Sequence, residues 1–276
     1  MQKLSSKHMR IGVVDFLNTV PMIDGISFVE GVELIKKVPS ELIGCLERNE
    51  VDVALASSID YQRSNSELCI LPVGVLSSDG ETLTVRLCSR KPFDEISKVY
   101  CDSDSHTSVA LLQIIFNKAF SITPEIVSLN IRELGKVTSD WPETVLMIGD
   151  KVVTNNTESE YKYQLDLGRA WRDQTGLPFV FATWFGLFDL NQNLVNKISM
   201  LLDRQLRFNS HKIEEVVSAN AIDRGWNVEL ANSYLTNNMQ YEFTDEHKQS
   251  LKLFYDLSYD CGAIDKVTPL RFFGDI

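Results

Sequence analysis

The sequence predicts an α/β protein of two lobes joined by two crossovers, with a ligand cleft between them. Three observations predict it. Apolar strand-like runs alternate with helical patterns from residue 11 to residue 184, which signals a mainly parallel sheet with helical connections. Only helical patterns follow Asp189. Extended segments near Ser89–Arg90 and Ala182–Trp184 set off a middle stretch, so residues 1–89 with 185–276 would form one lobe and residues 90–184 the other.

Taken in order, Ile11-Gly-Val-Val-Asp-Phe16 reads as an apolar strand running into Asn18-Thr19, and Val20-Pro21 should stop it, because a proline disfavours the helical region for the residue before it. Ser40 follows Pro39 as an N-cap for a short helix carrying Leu42, Ile43 and Leu46. Val51–Leu55 is a buried strand ending in the small polar run Ala56-Ser57-Ser58. Thr82–Ser89 alternates as a strand until Lys91-Pro92. Val99–Cys101 starts another, and Asp102–Ser108 opens a helix whose apolar faces come from Val109, Leu111, Leu112, Ile114, Ile115 and Phe116. Thr144–Ile148 is a buried strand ending at Gly149-Asp150. A hydrophilic loop, Leu165–Trp171, the turn Thr175–Pro178 and the extended run Phe179–Trp184 complete the alternating part. Of the later helices, the last has Thr244 as N-cap, Asp245 and Glu246 in its first turn and Gly262 just past its end.

Bulk properties narrow the function. A net charge of −11 argues against nucleic-acid and anionic-membrane partners, which need a basic surface. No stretch reaches the roughly 20 apolar residues of a membrane span. No secretory signal is expected, because the apolar stretch after the polar, basic start Met1–Arg10 is broken by Asp15 and Asn18 and lacks a small-residue cleavage site. Five scattered cysteines with no C-x-x-C pair suit reduced thiols, so a cytoplasmic location is expected. No dinucleotide fingerprint, P-loop, nucleophile elbow or histidine-rich metal motif is present. A small molecule is therefore the expected partner, with neither metal nor cofactor, and nothing specifies an oligomeric state.

In open α/β folds ligands meet the carboxyl ends of strands. Asn18 and Thr19 fall at such an end and could orient a ligand oxygen, or simply form a turn. Ser57 lies in the polar run after another strand. Ser105-His106-Thr107-Ser108 opens a helix, where free N–H groups and the helix dipole suit a carboxylate or phosphate, although every helix needs an N-cap. His106 could donate to an anion when protonated; His8, His211 and His247 are set aside as a tail residue and two residues at polar helix starts. Asp150 could hold a hydroxyl, act as a base or only shape a turn. Thr84 and Arg86, two apart on one strand face, offer a hydroxyl and a carboxylate clamp, with a solvated arginine as the alternative.

Two α/β lobes with two crossovers describe the type II periplasmic-binding-protein architecture, in which hinge closure usually accompanies binding. Seven segments in order resemble the chorismate dehydratase family of menaquinone biosynthesis by the futalosine route. They are Arg10-Ile-Gly-Val-Val-Asp-Phe-Leu-Asn-Thr-Val-Pro21, Asp52-Val-Ala-Leu-Ala-Ser-Ser-Ile-Asp-Tyr61, Thr84-Val-Arg-Leu-Cys-Ser89, Ser105-His-Thr-Ser-Val109, Ile148-Gly-Asp-Lys151, Asp166-Leu-Gly-Arg-Ala-Trp171 and Thr175-Gly-Leu-Pro-Phe-Val-Phe-Ala-Thr-Trp184. The resemblance implies loss of water from chorismate to give 3-[(1-carboxyvinyl)oxy]benzoate without metal or organic cofactor. It implies that Asn18 positions the ring, that Thr84 bonds a substrate oxygen, and that Thr107 and Ser108 hold a carboxylate. A substrate carboxylate would take the ring proton, with Asp150 the competing base. Thr84 stands where typical members have Ser, His106 where many have Arg, and Ala56 where Pro is frequent. The alternatives are the sister enzyme that makes dihydroxynaphthoate, whose first strand typically ends in a Cys-Pro-Asn-Asp type of motif, and a non-enzymatic small-anion binder.

Overall fold

The computed structural model describes residues 9–155 and 157–274; His8 and most of the polar N-terminal start lie outside them. In chain order the strands are β1 (Met9–Val13), β2 (Val32–Lys36), β3 (Val53–Ser57), β4 (Leu68–Ser78), β5 (Val85–Ser89), β6 (Lys98–Asp102), β7 (Glu125–Leu129), β8 (Thr144–Ile148), β9 (Tyr163–Asp166), β10 (Phe179–Leu187) and β11 (Met239–Gln240). The helices are α1 (Val20–Ile23), α2 (Leu42–Glu47), α3 (Asp60–Arg63), α4 (Thr107–Phe120), α5 (Lys151–Thr154), α6 (Leu167–Thr175), α7 (Gln192–His211), α8 (Ile213–Asn220), α9 (Val228–Ser233) and α10 (Asp245–Asp260).

The strands form two sheets, ordered β11-β4-β10-β3-β1-β2 and β7-β6-β8-β5-β9, giving a two-lobed α/β architecture. Both sheets are mixed rather than mainly parallel. β1 pairs with β2 and β3 in parallel, but β10 runs antiparallel to β3 and β4; likewise β5 is antiparallel to β8 and β9. The reason is geometric. β3 and β8 end where the sheets face each other, whereas β10 and β5 begin there and so run the opposite way. The chain therefore crosses within Asp79–Thr84, which puts residues 85–89 in the second sheet and 179–184 in the first, on the other side of the expected boundaries.

Local chemistry explains further departures. Pro21 does not stop the chain after β1. A 3₁₀ turn, Leu17–Thr19, runs directly into α1 with Val20 helical at φ −54°, and Pro21 sits in the first turn, where its missing N–H costs no bond. Ser40 makes no capping bond; the chain enters α2 through a 3₁₀ turn started by Pro39. Thr82–Thr84 is a turn, not the start of β5. His211 closes α7, and His247 is buried, bonding Ser77 at 3.0 Å while completing the capping box with Thr244.

One apolar cluster is continuous across the lobes, joining Leu42 and Leu46 to Leu111 and Phe116 through Trp171, Phe179 and Phe254. Trp171 meets Phe179 edge-on at 5.2 Å, and Phe254 on α10 meets Phe179 edge-on at 5.0 Å. A second cluster packs the other face of the first sheet against α7 to α9, with Trp184, Ile198 and Tyr234 at its centre. All five cysteines are unpaired, and burial raises the Cys88 thiol to about 11.

Candidate functional site

A cavity of about 570 Å³, including its open mouth, lies between the two sheets at the ends of β1, β3 and β8. Its polar lining includes Asn18, Ser57, Thr82, Thr84, Thr107 and Ser108, and Phe16, Leu55 and Phe181 are among its apolar walls. This combination suits a compact ring compound with a few polar substituents.

The first sheet and the crossover supply side-chain groups. Asn18 lies on the 3₁₀ turn after β1, and its Oδ1 is buried without a partner among the described residues. A buried acceptor left unmatched is costly unless something else supplies a donor. Thr84 ends a tight turn around Leu83, whose φ of +58° is a left-handed conformation seldom adopted by leucine. The Asp166 carboxylate holds this turn, accepting from Leu83 N–H at 2.8 Å, Thr82 N–H at 3.0 Å and, as the cap of α6, Arg169 N–H at 3.1 Å. Burial raises the Asp166 pKa, and those N–H groups oppose the rise. The buried Thr84 hydroxyl meets Tyr234 Oη at 2.8 Å and Thr82 O at 3.3 Å.

The second sheet supplies a helix end. The first turn of α4 carries no side-chain cap, and its first backbone bond runs from Ala110 N to His106 O at 3.3 Å. The N–H groups of Thr107 and Ser108 therefore have no intrahelical acceptor, beside a cavity that both residues line. Thr107 Oγ1 also accepts from Ile59 N–H at 3.3 Å, joining the lobes. Asp104 lines the same wall, with Arg132 at 2.8 Å and Lys151 at 3.8 Å offsetting its charge.

Asn18, Ser57, Thr84, Thr107 and Ser108 are thus brought together, and four other candidates are not. Thr19 is buried and donates to Val14 O and Phe16 O at 3.0 and 2.8 Å, closing its own turn. Arg86 bonds Gln164 at 3.1 Å, pairs with Glu81 at 3.6 Å and lines a separate surface groove. Because Thr84 belongs to the turn and not to β5, a spacing of two does not place it on Arg86's face. His106 Nδ1 pairs with Asp60 Oδ1 at 2.8 Å at the lobe junction, outside the cavity lining. Asp150 accepts from Leu17 N–H at 3.2 Å, and burial raises its pKa; its neighbour Gly149 lines the cavity instead. Gly149 has φ +73°, and a Cβ there would come 2.9 Å from the Phe16 ring, so glycine is required where the lobes meet.

Ser105 and Asp104 also line the cavity, and Asp166 and Tyr234 bond the Thr82–Thr84 turn from outside it; the sequence singles out none of them for the site, except Ser105 as part of the helix start. Asp166 carries a readable N-cap pattern before α6, whereas Tyr234 lies 150 residues from its partner Thr84 and has no local signal. Among the described residues no group of three or more His, Cys, Asp or Glu side chains could hold a metal ion, and no helix is long and apolar enough to cross a membrane.

A family model described as menaquinone biosynthesis matches residues 9–260. A chorismate dehydratase from Thermus thermophilus is 26% identical over 262 residues, covering 88% of this chain and 93% of that protein. One from Campylobacter jejuni is 23% identical, covering 89% and 96%. Among solved structures, a protein of Archaeoglobus fulgidus superposes with a TM-score of 0.78 at 16% identity, covering 94% of this chain and all of that one. The alkanesulfonate-binding protein of Xanthomonas axonopodis, bound to MOPS, gives 0.69 at 12% identity, covering 94% and 95%. These structures share the periplasmic-binding-protein fold, in agreement with the architecture expected from the sequence. With its match running from β1 to the end of α10, this chain belongs to the menaquinone biosynthesis family.

Proposed function

We propose that this chain is a chorismate dehydratase, a carbon–oxygen lyase that converts chorismate to 3-[(1-carboxyvinyl)oxy]benzoate and water. One observation carries the reading: a single cavity joins the open N-terminus of α4 to two polar side chains, Asn18, whose Oδ1 has no partner among the described residues, and Thr84, whose hydroxyl bonds Tyr234. Chorismate presents matching chemistry, with carboxylates for the helix end and a ring hydroxyl for the opposite wall. The names of the two bacterial relatives agree with it.

In the reaction, the ring C–H beside the ether oxygen loses its proton, its electron pair enters the ring, and the neighbouring C–OH bond breaks as the hydroxyl leaves, in the end as water. Aromatisation makes the elimination strongly downhill, so the protein's task is to orient the ring and assist the departing hydroxyl. Thr84 donates to that hydroxyl and Asn18 holds the ring edge. Asp150 is a poor base in this arrangement, because its oxygens face Leu17 N–H and it does not line the cavity. The enolpyruvyl carboxylate of the substrate itself is the proton acceptor. We place the reaction in the cytoplasm, where five unpaired thiols are at home.

Incubating the protein with chorismate, while following ultraviolet absorbance and product mass, tests the reading. Product lighter by one water is expected. Tight chorismate binding without turnover would instead favour a non-enzymatic anion binder, and no binding at all would end the proposal.

A further inference from the structure

Tyr234 sits 1% exposed at the start of a π-helical turn, Tyr234–Asn238, that follows α9. Such turns are rare and concentrate at functional sites. Its ring stacks on Trp226, with centroids 5.0 Å apart and planes within 16°. Its hydroxyl lies 2.8 Å from Thr84 Oγ1, and the Asn18 side chain is near enough to act on its pKa, lowering it. At the other end of the turn, Asn238 donates to Glu81 O at 2.9 Å. One π turn therefore grips both the beginning and the end of the strained crossover segment Glu81–Thr84.

We propose that Tyr234 is a positioning residue that joins Asn18 and Thr84 into one donor–acceptor unit: its hydroxyl accepts from the Asn18 amide and donates to Thr84 Oγ1. This inference rests on the dehydratase reading and extends it to a residue outside the cavity lining. The direction of the chain follows from what each group has left. With Asn18's amide N–H turned to the phenol, its Oδ1, buried without a partner among the described residues, is left to accept from a ligand. With the phenol proton on Thr84 Oγ1, the Thr84 proton is free for a ligand hydroxyl, since its bond to Thr82 O is long at 3.3 Å. Hydrogen bonds in a chain polarise one another, so Thr84 becomes a better donor than an isolated threonine. Burial holds the phenol far above its ordinary pKa, against the opposing pull of Thr84 and Asn18, so its proton stays in place across the working pH range.

The test is a double-mutant cycle of Tyr234→Phe and Thr84→Val, reading kcat and KM separately. Tyr234→Phe keeps the ring and its stack on Trp226, and should lower kcat by about 10-fold or more with KM changed by less than about 3-fold. The double variant should fall well short of the product of the two single losses, because the phenol acts largely through that hydroxyl. Thr84→Ser, which keeps the hydroxyl, should retain the dependence on Tyr234. An unchanged kcat in Tyr234→Phe, or losses that multiply in the double variant, would overturn the proposal. If Tyr234→Phe does not fold, Asn238→Ala loosens the same turn from Glu81, and an unchanged kcat there would equally overturn it. If the wild type binds chorismate without converting it, the dehydratase reading fails on its own, and the same cycle read as chorismate dissociation constants decides the network. If it neither binds nor converts chorismate, both fail.

Discussion

The two walls of the cleft are built from different materials. The first-sheet wall and the crossover offer side chains, Asn18 and Thr84, held in place by a 3₁₀ turn and by the strained turn at Leu83. The second-sheet wall offers mainly backbone, the open first turn of α4. Side-chain donors can be matched to a particular ring substituent, whereas a helix end attracts any anion of suitable size. On the proposed function, the difference would give chemistry to one wall and anion capture to the other. Thr19, Asp150 and His106, all polar, lie outside the cavity lining, and each holds a turn or the lobe junction.

The largest expected effect is on the side-chain wall. Asn18→Ala should lower chorismate turnover by about 100-fold or more while moving the thermal midpoint by less than about 2 °C, because it removes a group with no structural partner for its oxygen. Wild-type turnover in that variant would erase the distinction between the walls. On the backbone wall, Ser108→Asp should raise KM by about 10-fold by repelling an anionic substrate from the helix end, yet leave the thermal midpoint unchanged or slightly higher, since a carboxylate suits that end of α4. A lower KM would contradict anion capture there.

The smallest effect concerns the lobe junction. Burial raises the Asp150 pKa, so its folded value lies above its unfolded value. The stability it contributes is present below the unfolded pKa and lost as pH rises through the folded one. Against Asp150→Asn, which does not titrate, the wild type should therefore gain in thermal midpoint as pH falls from about 7 to about 4. A difference independent of pH would show that Asp150 is not the buried group described.

Much of this was readable from local pattern. Alternating apolar runs located β3, β6, β8 and β10, and the helix start at Ser105–Ser108 followed from chain polarity alone. What escaped depends on distant partners. β4 carries Pro72 and Gly74, ordinarily strand breakers, and tolerates them because its pairing with β10 slips between Leu71 and Val75 and Pro72 lies exposed. Leu83 gave no sign of a positive φ, because that conformation is imposed by Asp166, more than 80 residues away. The same turn moved Thr84 off Arg86's face, so one unforeseen dihedral decided which of two adjacent candidates reaches the cavity.

The division between the walls is tested most directly by a crystal structure with 3-[(1-carboxyvinyl)oxy]benzoate bound. We expect a carboxylate on the N–H groups of Thr107 and Ser108 and the aromatic ring edge against Asn18 and Thr84. A carboxylate on Arg86, or a ring that touches neither Asn18 nor Thr84, would contradict it.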